Sequence, residues 1–219
     1  MAIFFRILTS LPLLFLLSCN MNTYIDQPLI PKDTTNSKEK NNRLFAFVGE
    51  KISLVSLGRV SDLDEGFIAK YKVLQKVYGS YKEDTIEFMV YDHYGEPFFS
   101  KYKNVLLFVT EDSGKYYHEK YQYFDVYQAK NGRWAGAYSH DDYSKTPKNL
   151  AIIPQRIFFR QEIFYMIPEE NPGGILYNKI YPEPYYKIDG HKATAVYGNY
   201  VEDLFRLKKN GVLRFRELF

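Results

Sequence analysis

From Leu44 onward, apolar and polar positions alternate with a period of two, the mark of strands that bury one face. Leu44–Leu57 (LFAFVGEKISLVSL) predicts a long first strand, with Gly49 at a bulge or bend. In the next strand, Phe67–Tyr78, Phe67, Ala69, Tyr71 and Val73 alternate with Ile68, Lys70, Lys72 and Leu74, which sets two lysines outward. Gly79 to Asp84 reads as a turn. Thr85–Tyr91 follows, with Ile86, Phe88 and Val90 on one face and Glu87 on the other. Asn104–Thr110 (NVLLFVT) is nearly continuous in apolar residues, as a strand buried on both faces should be.

Lys115–Gln128 (KYYHEKYQYFDVYQ) predicts a further strand. Were it to alternate without interruption, Tyr116, His118, Lys120, Gln122 and Phe124 would share one face. Asn131-Gly132 is a strong hairpin signal, because both central residues of a type I′ turn need positive φ. Arg133-Trp134-Ala135 is the expected return strand, and Ser139 to Asn149 a polar loop. Ile157–Ile167 and Ile175–Tyr181 are expected as two strands around Pro172-Gly173-Gly174, and Asp189-Gly190 as a second hairpin turn. One helix is predicted near the end. Asn199 and Glu202 have capping-box spacing, Val201, Leu204, Phe205 and Lys208 fall on one face, and Gly211 is placed to end it. Val212–Phe219 is expected as a last strand.

These elements predict one mainly antiparallel β-domain over 44–219. Its expected core is a partly closed OB-like barrel over 44–137, with a C-terminal extension of hairpins and a helix covering an end or an edge. A β-sandwich is the alternative.

The first residues follow another pattern. In MAIFFRILTSLPLLFLLSC, Arg6 precedes a short apolar run from Ile7 to Leu17, too short and wrongly flanked for an ordinary membrane span. Leu16-Leu17-Ser18-Cys19 resembles the lipobox of bacterial lipoproteins. That resemblance implies a diacylglycerol on the Cys19 sulfur, cleavage after Ser18, and an acylated amino terminus; several acyl chains anchor stably where one is marginal. By the same analogy Asn20, in place of Asp, points to the outer membrane. Residues 1–18 are then a signal peptide, and 19–43 carry the lipidated Cys and a polar tether. That stretch is too poor in apolar residues to order itself; an arm packed on the domain is the alternative.

Composition narrows the functional classes. Cys19 is the only cysteine, so neither an internal disulfide nor a Cys-rich zinc site is available. The chain carries 29 Lys+Arg against 26 Asp+Glu, and loss of Arg6 with the signal leaves a balance near +2, with no nucleic-acid footprint. The 21 Tyr and 17 Phe are the unusual feature. Exposed tyrosine offers a flat apolar face and a hydroxyl at little entropic cost, which suits protein or sugar binding. Tyr116, Tyr121 and Tyr123 are the candidate surface; cross-strand partners in an aromatic-rich β-fold are the alternative.

The order FVGEKISLVSL, AKYKVLQKVYGSYKEDTIEFMVY, a loop with Pro97, and NVLLFVT resembles the netrin-like family, the OB-type fold of tissue inhibitors of metalloproteinases. Tyr71, Val73, Val77, Tyr78, Gly79 and Leu106–Val109 carry the likeness, over less than half the chain. The resemblance implies a fold. The inhibitors chelate a protease metal through a free N-terminal Cys, and here Cys19 is committed to lipid, so no inhibitory residue carries over.

Other chemistry is sparse. His140-Asp141-Asp142 is the one compact set of metal-ligand types, in what otherwise reads as a solvated loop. No Gly-x-Ser-x-Gly elbow, zincin helix or phosphate-cradling glycine loop occurs. The expected function is a lipid-anchored, non-catalytic binding or assembly module of the cell envelope, without a cofactor. Its expected partners are the membrane, through Cys19, and another envelope protein or a glycan. An envelope-polymer hydrolase with a metal-assisted site at His140, Asp141 and Asp142, or a netrin-like protease inhibitor, are the alternatives.

Overall fold

A computed structural model describes residues 43–144, 147–168 and 179–219. The signal 1–18 with Leu16, Leu17 and Ser18, Cys19, and the tether to residue 42 lie outside the described residues, as do Pro172-Gly173-Gly174 and the start of Ile175–Tyr181.

Five strands close into a barrel in the order β1-β2-β3-β5-β4. They are β1 (Leu44–Arg59), β2 (Glu65–Tyr78), β3 (Thr85–Asp92), β4 (Asn104–Asp112) and β5 (Lys115–Asp125). β1 pairs antiparallel with β2 along its length and with β4 through Leu44–Glu50, and β3 meets β5 in parallel at Met89 and Tyr117. This order, with its one parallel contact, is that of an OB-like barrel. The barrel is closed rather than partly closed, and the sandwich alternative is set aside.

The pattern of apolar residues explains the closure. Phe45, Phe47, Phe67, Ala69, Tyr71, Ile86, Phe88, Val90, Val105, Leu107 and Val109 fill the interior. The residues between them on β1 and β4, Leu44, Ala46, Val48, Leu106 and Phe108, point outward into a second core with the C-terminal half. Leu44–Val48 of β1 and Val105–Val109 of β4 are therefore buried on both faces, which is why those two runs lack polar positions. Gly49 sits at a register shift of β1, as expected of a bulge, with Phe47 and Tyr71 closing on it.

The C-terminal half covers this wall. β6 (Tyr127–Gln128), β7 (Trp134–Ala137), β12 (Tyr197–Tyr200) and β8 (Gln155–Arg156) form one small sheet, and β10 (Tyr186–Asp189), β11 (Lys192–Ala195) and β9 (Phe164–Met166) another. α3 (Val201–Asn210) buries Val201, Leu204, Phe205 and Leu207, and Phe205 stacks on Tyr78 at 4.8 Å. The extension thus lies on the flank of the barrel rather than on an end or edge, because that flank is where β1 and β4 expose apolar side chains.

Several local expectations are corrected. The type I′ turn is at Ser113-Gly114, both with positive φ; at Asn131-Gly132 only Gly132 is left-handed, and the Ala129 N–H bonds to the Arg133 carbonyl. Residues 139–149 carry two short helices, α1 (His140–Ser144) and α2 (Pro147–Leu150), in place of a loop. Ser139-x-x-Asp142 has capping spacing: the Asp142 N–H donates to the Ser139 carbonyl and the Ser139 hydroxyl to Asp142 Oδ2. Ile157–Ile167 is broken, with only Phe164–Met166 paired as a strand. Asn199 does not cap α3. It is still in β12, and its buried side chain bonds the Tyr143 hydroxyl and the Ile153 carbonyl. Gly211 ends α3 with a negative φ, and Val212–Phe215 form α4 where a strand was expected.

Two stability tests follow. The Tyr71 hydroxyl is enclosed without a hydrogen-bond partner among the described residues, so Tyr71→Phe should raise stability by about 1 kcal/mol or more in urea unfolding. A Cβ at Gly198 would lie 2.0 Å from the Gly136 carbonyl oxygen, whereas Gly58, at φ +72°, has nothing within 4 Å. Gly58→Ala should cost about 1–2 kcal/mol from backbone strain alone. Gly198→Ala should cost more than about 3 kcal/mol, since backbone cannot yield as a side chain does.

Candidate functional site

β5 leaves the barrel at Asp125. The next N–H, of Val126, donates to the Asn104 carbonyl at 3.1 Å, and Tyr127 already belongs to the small sheet. Asp125 therefore stands at the junction of barrel and extension. Asp125 Oδ2 accepts from the Tyr127 hydroxyl at 2.9 Å and the Tyr165 hydroxyl at 2.7 Å.

A cleft of about 750 Å³ opens beside it, within the range of small-molecule sites. Among the described residues six tyrosines line it: Tyr102 and Tyr123 from the barrel side, and Tyr138, Tyr165, Tyr181 and Tyr186 from the extension. The rings brace one another. Tyr165 and Tyr181 stack at 5.7 Å, Tyr181 meets Tyr186 edge-on at 5.0 Å, and Tyr102 lies 6.2 Å from Tyr123. The Tyr186 hydroxyl donates to the Tyr138 carbonyl at 2.5 Å, which fixes the floor. Asp141, Asp142 and Lys179 also line the cleft. Asp142 is engaged by Lys208 Nζ at 2.5 Å, while Asp141 and Lys179 are exposed.

Electrostatics converge on Asp125. Burial raises its carboxyl above the ordinary range, and the Tyr165 and Tyr127 hydrogen bonds only partly oppose this. No Lys, Arg or His among the described residues forms an ion pair with it. The hydroxyls of Tyr102, Tyr127, Tyr165 and Tyr186 are pushed up, first by burial and next by the charge of Asp125. Tyr123 is pushed up to about 12 by the same two causes.

Comparison of the chain with protein-family models, with curated proteins and with solved structures gives no match.

The residues expected from the sequence are scattered by one irregularity. Val109 pairs with His118 but Leu107 with Tyr123, so residues 119–122 of β5 bulge opposite Phe108. Tyr121 stands at φ +66° within the bulge. The expected face of Tyr116, His118, Lys120, Gln122 and Phe124 is broken by this insertion, which changes the side each later residue takes. Tyr116 and Tyr123 pack half-buried against the barrel core, and Phe124 joins the outer core. Tyr121 is 44% exposed and lies 6.1 Å from Tyr94, itself 88% exposed. Of the three candidate tyrosines, only Tyr123 reaches the cleft. The side chain of His140 lies outside the described ones, and no three of His, Cys, Asp or Glu gather as a metal site among the described residues. Asp125, the carboxylate in the cleft wall that tyrosine hydroxyls hold, carries no sequence signal beyond being an acid within a tyrosine-rich strand.

His118 has a separate role. Its ring packs 4.6 Å from Phe99, and its Nε2 bonds the Gln122 carbonyl at 2.9 Å, tying the bulge together. Burial lowers it to about 4.

Two pH-linked outcomes follow. His118 stays neutral in the fold while the unfolded chain protonates near pH 6.5. Its contribution is therefore complete above that pH and is lost as pH falls towards about 4. Unfolding free energy should drop by about 3 kcal/mol over that window, and His118→Gln should remove this component. Asp125 has the opposite sign. A carboxyl raised by burial favours the fold at acidic pH, and that benefit is lost as pH rises through its folded value. Asp125→Asn should therefore raise the melting temperature at neutral pH, by a margin that shrinks on acidification.

Proposed function

We propose that the chain is a lipid-anchored module of the bacterial cell envelope that binds its partner without transforming it, and that the tyrosine-lined cleft at Asp125 is where it binds. The membrane is engaged through lipid on Cys19, and the partner is another envelope protein or a glycan. The anchor rests on the lipobox-like Leu16-Leu17-Ser18-Cys19 and the apolar run before it. The binding role rests on one observation above all: among the described residues, six tyrosines and a carboxylate held by tyrosine hydroxyls line one cleft large enough for a ligand. Such a wall offers flat apolar faces and oriented hydroxyls. The side chains that hold Asp125 are phenols, which stay protonated near neutral pH and act as donors, not as bases.

Labelled palmitate should enter the wild-type chain and not Cys19→Ala. Photocrosslinking in the native envelope from a residue at the cleft mouth should capture one neighbour, and Tyr181→Leu should reduce capture at least about tenfold if stacking supplies the usual share of such sites. Unlabelled wild type, or undiminished capture by Tyr181→Leu, would defeat the anchor and the cleft respectively.

A further inference from the structure

The cleft is unusual in the sign of what it lacks. Asp125 is a half-buried carboxylate, and its two side-chain partners are neutral hydroxyls on one oxygen, Oδ2. A charge in such a place is ordinarily matched by an opposite charge. Three other partly buried acids follow that rule: Asp142 has Lys208 at 2.5 Å, Asp64 has Lys120 at 2.5 Å, and Glu119 has Arg216 at 2.6 Å; buried Asp92 is held instead by the Tyr94 N–H at 2.9 Å. Asp125 has no such cation among the described residues. Lys179, the one cation lining the cleft among the described residues, is exposed and forms no ion pair with it.

The walls of the cleft favour the same sign of ligand. The faces of aromatic rings carry negative charge density and attract cations, more so when both are desolvated. Tyr165, Tyr181 and Tyr186 form one braced group and Tyr102 and Tyr123 another, all lining the same cleft as Asp125. A neutral sugar could stack on these rings, but it would leave the charge of Asp125 unmatched. A positively charged group would use both features.

We propose that the tyrosine-lined cleft binds an ammonium group, with Asp125 as its counter-charge and the tyrosine rings as its walls. The assignment rests on the reading of this cleft as the binding site. The ammonium could be a primary amine of the lysine type or a quaternary head group of the choline type, since both present a cation on an apolar stem.

The test is calorimetric titration of the full chain with n-butylammonium, with choline, and with the uncharged isostere of choline in which tert-butyl replaces trimethylammonium. At least one cation should bind saturably, and at least about ten times more tightly than the isostere. The tighter of the two cations names the source. Asp125→Asn should lose that affinity at least about tenfold while melting no lower than wild type at neutral pH, which separates loss of charge from loss of fold. Equal binding of cation and isostere, binding of neither cation, or full cation affinity in Asp125→Asn would each overturn the assignment. If chitin oligosaccharide bound where neither cation did, the ammonium assignment would fall while the cleft stayed a binding site. If a cation bound but Tyr181→Leu left envelope capture untouched, the ammonium site would stand and the envelope role of the cleft would fall.

Discussion

Burial on both faces of the paired segments Leu44–Val48 of β1 and Val105–Val109 of β4 is the constraint from which the rest of the architecture follows. Phe45, Phe47, Val105, Leu107 and Val109 fill the barrel, and Leu44, Ala46, Val48, Leu106 and Phe108 face the extension. Each fully buried aromatic or leucine side chain contributes roughly 1.5–3 kcal/mol, so neither layer can be given up. A one-residue slip would exchange the two faces and misfit both cores at once. The pair therefore locks its register, and the extension has one place to sit, against the outer side of that pair.

The junction chemistry is a by-product of the same geometry. β5 lies beside β4 and must leave the barrel where the extension begins, so its last residue, Asp125, is caught between two layers. Tyrosine suits such a boundary, because its ring can pack in either core while its hydroxyl turns to a polar neighbour. Tyr127, Tyr165 and Tyr186 all do this, to Asp125 or to the Tyr138 carbonyl. A carboxylate in that position lowers stability, and proteins commonly accept such a loss where a site requires it.

The bulge in β5 is a second departure from regularity. Tyr121 holds a left-handed backbone that a side chain disfavours. It is held from three sides: His118 Nε2 bonds the Gln122 carbonyl, Arg216 bonds Glu119 Oε2 and the Lys120 carbonyl, and Lys120 pairs with Asp64. The C-terminal segment, through Arg216, thus ties the extension to the barrel strand that ends in Asp125.

Alternation in Phe67–Tyr78 and Thr85–Tyr91, and the unbroken run at Asn104–Thr110, were enough to name the barrel strands and their buried faces, because burial of one face or both imposes its period on the residues themselves. The lipobox-like start and the lone Cys19 are likewise local. What only the tertiary structure decided was non-local. Period two cannot register an insertion, so the sides taken by Tyr123 and Phe124 depended on the bulge opposite Phe108. Asn199 and Glu202 have capping spacing, yet pairing of β12 with β7 held Asn199 in a strand. The cleft brings Tyr102, Asp125, Tyr165 and Tyr186 together from separate elements. The state of Asp125 is set by the solvent those distant rings exclude, and no pattern along the chain records that exclusion.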